Sequence, residues 1–179
     1  MSGSSSLSSL VNATALRTQL CGSLRPEHIG QTVTLCGWIA RRREHGEHLA
    51  FLDVRDYSGV VQCVVSDVKD VRNEWVVQIT GKVQARPEGT INANLPTGGV
   101  ELVECQLTVL NAAESPPFPI DARADDVDEG VRLKFRYLDI RRERMQKNLR
   151  IRAKVNSAIR GAMEAQNFVE VETPFLMPS

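Results

Sequence analysis

The sequence predicts a mainly-β chain: a small five-stranded antiparallel barrel, then a hinge, then the first helix and strand of an α+β domain. Three observations predict it. Five β-rich segments fall within residues 32–110, which leaves no room for the crossover helices of a parallel sheet. Residues 114–120 (ESPPFPI) carry three prolines, which neither strand nor helix continues through. From Asn148 to Asn167 the apolar period changes to that of a helix.

The strands follow in order. Residues 32–43 (TVTLCGWIARRR) are β-rich, with Val33, Leu35 and Ile39 on alternate positions. Residues 49–56 (LAFLDVRD) make a second strand and 60–66 (VVQCVVS) a third, joined by a turn at Tyr57-Ser58-Gly59. A short polar segment, 67–73, leads to a fourth strand at 75–84 (WVVQITGKVQ). A Pro/Gly/Asn-rich loop, 86–99, leads to a fifth at 100–110 (VELVECQLTVL). Five strands favour an oligonucleotide-binding barrel (OB-fold), with an SH3-like barrel as the competitor. The acidic stretch 121–129 extends the proline linker. In the helix, Leu149 or Ile151, Val155, Ile159 and Met163 recur on one face, with Arg150, Arg152, Lys154 and Arg160 on the other. Pro174 bars further helix, so the helix is expected to be followed by one short strand, 168–174. Such a helix–strand piece cannot bury its apolar face alone. The expected divisions are a disordered Ser-rich extension at 1–16, a barrel domain at 17–111, a hinge at 112–131 and the start of a second domain at 132–179.

Composition excludes several classes. Lys+Arg and Asp+Glu are equal at 22 each, so the chain is not a uniformly basic nucleic-acid binder. The balance is uneven along the chain: residues 111–131 hold one base against six acids, and residues 132–179 hold eleven against five. Local basic stripes therefore remain available for a polyanion. No apolar run approaches the roughly 18 residues of a membrane span. Cys21, Cys36, Cys63 and Cys105 have neither metal-ligand nor redox spacing, and reduced thiols are expected. His45 and His48 sit at i, i+3 in a Gly-containing turn, but no carboxylate or cysteine motif completes a metal site there, so no metal is expected. The first sixteen residues have neither the basic start of a signal peptide nor the arginines of a transit peptide. A cytoplasmic protein is the expectation.

A barrel face that reads unpaired bases needs an aromatic plane, hydrogen-bonding groups and cations for phosphates. Arg41 and Arg43 are two apart and share a strand face, with Arg42 opposite. They suit phosphates, or they form a solvated charge run. Gln62 lies inside the apolar VVQCVV, where a buried unpaired amide is costly. That points it outward, either to a ligand or to solvent.

Five segments in order resemble aspartyl-tRNA synthetases of the bacterial type. They are 31–43 (QTVTLCGWIARRR), 86–101 (RPEGTINANLPTGGVE), 114–121 (ESPPFPID), 132–142 (RLKFRYLDIRR) and 168–174 (FVEVETP). The last is similar to motif 1 of the class II synthetases, whose essential proline is matched by Pro174. The resemblance covers about residues 16–179. It implies that the barrel grips the tRNA anticodon loop. It also implies that the full-length family activates aspartate with ATP and Mg²⁺, charges tRNA-Asp and forms a homodimer in which motif 1 builds the interface. Phe51 matches the family aromatic that stacks on an anticodon base, against the alternative of a core phenylalanine. Gln62 matches the glutamine that reads a base edge. Arg86 and Glu101 match anticodon contacts, against the alternative of a surface Arg–Glu pair. His45 and Gly89 match positions occupied by His and Gly in members that also charge tRNA-Asn, which implies tRNA-Asn as a second partner.

Two features depart from the family pattern. The 44–50 loop (EHGEHLA) is about a residue longer, and the helix usual near 67–73 is nearly gone. The basic cluster from Arg132 to Lys154 is either a second tRNA contact or the partner of the acidic 121–129 stretch. Motifs 2 and 3, with their ATP-clamping arginines, do not appear after Pro174. These 179 residues alone are therefore expected to bind tRNA without charging it, with no catalytic residue and no cofactor of their own. Other readings are a free-standing OB-fold protein for single-stranded nucleic acid, and the related asparaginyl or lysyl enzymes.

Overall fold

The computed structural model describes residues 16–45, 49–66 and 70–174, with only the backbone of His45. The Ser-rich extension up to residue 15, His48 in its loop, residues 67–69 and the last five residues lie outside the described residues. Two compact units part between Ser115 and Pro116.

The first unit is a closed barrel of five strands: β1 (Thr32–His45), β2 (Leu49–Arg55), β3 (Val60–Ser66), β4 (Val76–Ala85) and β5 (Val100–Asn111). Around the barrel the order is β1-β2-β3-β5-β4. All pairings are antiparallel except β3–β5, which runs parallel through Gln62↔Glu101 and Cys63↔Leu102. The five-stranded antiparallel barrel expected from sequence is present, with this one parallel seam. An odd number of strands cannot alternate in direction all the way round a closed ring, so one pairing must be parallel.

Alternation along each strand fills the interior. Val33, Leu35 and Ile39 from β1, Leu52 and Val54 from β2, and Val61, Cys63 and Val65 from β3 are buried. They meet Val77, Ile79 and Val83 from β4 and Val100 and Leu102 from β5. Each fully buried Val, Leu or Ile contributes about 1.5–3 kcal/mol relative to exposure. A short 3-10 turn, Cys21–Ser23, and the following Leu24 add Cys21 and Leu24 to this core. Asp56 fixes the turn by accepting from Cys21 N at 2.8 Å. At Gly37 a Cβ would lie 2.4 Å from the Arg55 carbonyl oxygen, so only glycine allows β1 and β2 to approach there.

Two irregularities change which face the side chains occupy. On β1, Ile39 pairs with Val54 but Arg41 pairs with Asp53, so Ala40 is an extra residue. This bulge reverses the alternation. Odd-numbered positions point inward before it and outward after it. On β5, Thr80↔Gln106 is followed by Lys82↔Val103, and Glu104 there takes a left-handed φ of 52°. The inward positions shift accordingly, from the buried Val100 and Leu102 to the half-buried Cys105 and Leu107, which pack against the core.

Part of the polar 67–73 segment belongs to the core: Val71 is buried and its carbonyl accepts from Arg42 Nη1. Glu74, also buried, accepts from Arg55 Nη2 on both carboxylate oxygens at 3.0 Å.

The second unit is helical. A 3-10 turn (Ala122–Asp126) leads to α1 (Glu129–Lys134), α2 (Arg136–Asp139) and α3 (Glu143–Glu164). The acidic stretch is thus partly structured. Asp121 caps the turn by accepting from Arg123 N, and Asp128 caps α1 by accepting from Gly130 N and Val131 N. The long helix starts five residues before the Asn148 expected from its apolar period, because ERMQK holds good helix formers. It stops before Asn167, which takes a left-handed φ of 65°. The strand expected at 168–174 is absent, and the chain there has no regular structure. Among the described residues this unit holds no strand that could pair with it. Leu149, Ile151, Val155, Ile159 and Met163 on α3 are all exposed, as expected for a piece that cannot bury its apolar face alone.

Asp139, fully buried, organises the turns before α3. It accepts from Arg142 Nε at 2.7 Å and from Arg136 Nη1, with Arg132 4.0 Å away. Arg142 is also buried, and its Nη1 donates to Asp125.

Candidate nucleic-acid interface

The outward positions of four strands fall into one row across the barrel. Arg41 on β1 stands opposite Asp53 on β2, Asp53 opposite Gln62 on β3, and Gln62 opposite Glu101 on β5. In the adjacent row Arg43 stands opposite Phe51, and Phe51 opposite Val64. The Ala40 bulge brings Arg41 and Arg43 into these rows. Without it they would share the inward phase of Leu35 and Ile39. The row crosses the parallel seam, so barrel closure itself sets Gln62 beside Glu101.

Hydrogen bonds join the row. Arg43 Nη2 donates to Asp53 Oδ1 at 2.8 Å and to Gln62 Oε1 at 2.9 Å. Gln62 Nε2 donates to Glu101 Oε2 at 2.7 Å. Gln62 and Glu101 are only 8% and 6% exposed although they point away from the core. The amide is therefore outward, as its sequence context predicts, but paired at both ends. Its orientation is forced, because a guanidinium only donates and a carboxylate only accepts.

Arg86 gives Nε to the Val100 carbonyl and Nη1 to the Thr90 carbonyl, both at 3.3 Å, rather than pairing with Glu101. It begins the 86–99 loop, which Thr97 ties to the barrel by donating its hydroxyl to the Val60 carbonyl. Phe51 is half-buried on the outward side, whereas its neighbours Ala50 and Leu52 are core.

Sequence reasoning missed Asp53. The signal was present: in LAFLDVR it lies two residues from Phe51, hence on the same face. Burial pushes its carboxyl above the usual aspartate value, while Arg43, Arg86 and Arg41 pull the other way. All three arginines of the candidate site thus surround one acid.

The remaining candidates lie apart from this row or have a structural role as well. Gly89 has a φ of 80° in a turn closed by Thr90 N donating to the Pro87 carbonyl at 3.1 Å. That conformation favours glycine on backbone grounds alone. His45 ends β1 opposite Leu49. Pro174 is exposed in the second unit. In the basic cluster, Arg142 and Arg144 pair with Asp125 of the acidic stretch, and Arg132 and Arg136 with Asp139. Arg152 and Lys154 stay exposed. Among the described residues, no three His, Cys, Asp or Glu are grouped to hold a metal ion, and no helix is long and apolar enough to cross a membrane.

A five-stranded closed barrel with a row of cations, amide, carboxylate and aromatic on one outer face is the architecture of an oligonucleotide-binding module. Residues 33–110 match the OB-fold nucleic acid binding domain family, and residues 128–179 match the class II tRNA synthetases for D, K and N. Over about nine-tenths of its length the chain is similar to aspartate–tRNA ligases of this class. It is 52% identical over 172 residues to an Aspartate--tRNA(Asp/Asn) ligase of Heliobacterium modesticaldum, covering 91% of this chain and 28% of that protein. It is 49% identical over 173 residues to the protein of the same name from Gloeobacter violaceus, covering 92% and 29%. The chain therefore spans less than a third of the length of these relatives. Among solved structures it resembles asparaginyl-tRNA synthetase from Pyrococcus horikoshii. That match has a TM-score of 0.72 and 27% identity, and covers 88% of this chain and 38% of that one.

Proposed function

We propose that the outer face at the β3–β5 seam binds the anticodon loop of tRNA. The observation that carries this reading is the row itself: Arg41, Gln62 and Glu101 aligned across strands that are distant in sequence, flanked by Arg43 and Phe51. Arg41, Arg43 and Arg86 supply charge for phosphates. Phe51 supplies a stacking plane, and Gln62 and Glu101 supply acceptors and donors for base edges. Residues 17–111 then form the anticodon-binding domain, 112–131 the hinge and 132–179 the first part of the catalytic domain, with motif 1 ending at Pro174 and serving a homodimer. The reaction served is aspartate activation with ATP and Mg²⁺, then transfer to tRNA-Asp, in the cytoplasm. The described residues carry no Mg²⁺ ligand set.

The reading extends to tRNA-Asn. The relatives at about half identity are named for both tRNAs, and the family resemblance matches His45 and Gly89 to the positions occupied by His and Gly in members that also charge tRNA-Asn. The test is binding of tRNA-Asp, tRNA-Asn and an unstructured oligonucleotide to this chain. Tighter binding of both tRNAs is expected. Preference for tRNA-Asp over tRNA-Asn overturns the dual specificity. Equal affinity for all three overturns anticodon recognition and favours a general single-strand binder.

A further inference from the structure

We propose that Asp53 is a positioning residue for base recognition: by holding Arg43 it closes the second of two clamps on the Gln62 amide. The proposal rests on the anticodon-binding reading above.

Gln62 is gripped from two sides. Glu101 holds Nε2 and Arg43 holds Oε1. These two bonds leave one lone pair on Oε1 and one N–H on Nε2 for a ligand. Together they fit a base edge that presents a donor beside an acceptor. With only the Glu101 clamp the amide pivots about a single hydrogen bond and the pair loses its direction. Arg43 is a long side chain, 41% exposed, and in register it lies opposite Phe51, not Gln62. What brings it diagonally onto the amide is Asp53, directly opposite Gln62, which accepts from the same Nη2. Both hydrogens of that nitrogen are thus committed, one to each partner.

Simple electrostatics does not call for Asp53. An acid among Arg41, Arg43 and Arg86 weakens the attraction of this face for phosphate. Removing it should therefore favour non-specific RNA binding while degrading base choice. A misfolded variant would lose both.

The experiment compares the full chain with Asp53→Asn, Gln62→Ala and the double variant. The probes are the anticodon stem-loop of tRNA-Asp and three loops in which one anticodon base each is replaced. At the position read by Gln62, Asp53→Asn lowers the cognate-to-substituted affinity ratio by about tenfold, with affinity for the substituted loop unchanged or higher. In the Gln62→Ala background the same change has no further effect on the ratio. An unchanged ratio in Asp53→Asn overturns the proposal. So do additive effects of the two substitutions, which would mean Asp53 acts on its own. Arg43→Met breaks the link from its other end and serves if Asp53→Asn folds poorly; a retained ratio there also overturns it. A wild-type ratio of one at all three positions would instead overturn the anticodon-binding reading itself.

Discussion

Phe51 and Leu52 are neighbours on β2 with opposite environments, so they should separate binding from stability. Leu52 is 0% exposed in the barrel core. Leu52→Ala removes buried methyl groups and leaves a cavity, costing about 2–5 kcal/mol. For a domain of this size each kcal/mol moves Tm by about 4–8 °C, so a fall of at least about 8 °C is expected. Phe51 is half-buried on the outer face, beside Arg43. Phe51→Ala should cost less than the roughly 3–5 kcal/mol of a fully buried phenylalanine. It removes a stacking plane worth about 1–3 kcal/mol per base, which is about 5- to 150-fold in Kd. Thermal melts paired with fluorescence anisotropy on a labelled tRNA-Asp anticodon stem-loop measure both quantities. Folded Leu52→Ala, assayed well below its Tm, should bind close to wild type. The reasoning fails if Phe51→Ala binds as tightly as wild type, or if it lowers Tm as far as Leu52→Ala does.

Other consequences are equally direct. Arg41→Ala should weaken binding to cognate and substituted loops alike and reduce the slope of log K against log salt by about one; a salt titration with an unchanged slope would remove Arg41 from the phosphate contacts. Asp139→Ala strands the buried Arg142 with Asp125 alone, at a cost of about 3–5 kcal/mol, and should speed hydrogen exchange in the turns before α3 while leaving the barrel amides unchanged. The hydrogen bond from Arg142 holds the Asp125 carboxyl below its usual value. A depressed carboxyl stabilises above the unfolded pKa of about 3.9 and loses that contribution as pH falls through the folded value. Helix content followed by circular dichroism should therefore fall with acid below about pH 4, and less steeply in Asp125→Asn. Identical acid profiles for the two proteins would assign the loss to other groups.

Much of the fold is legible locally. The alternation of Val33, Leu35 and Ile39, the paired apolar runs of β2 and β3 and the proline segment each report a backbone preference within a few residues. Burial has a period of two in a strand, so inward and outward positions can be read directly while a strand stays regular. The 148–167 helix shows the limit of that method. Its apolar period locates its core but not its start, because polar helix formers carry no such period.

By itself, then, the sequence determined five strands, a linker, a helix and the residue types of the candidate face. Tertiary structure decided how those residues meet. The Ala40 bulge, visible only as a register shift against β2, turns Arg41 and Arg43 outward. Closure of an odd number of strands forces the parallel seam where Gln62 faces Glu101, 39 positions apart in the chain. Asp53 shares a face with Phe51 in LAFLDVR, but it gains its place because Arg43 from one neighbouring strand bonds both it and Gln62 from the other. Periodicity is a property of adjacent residues, whereas register and closure belong to pairs of strands, and the pairs set the geometry of the site.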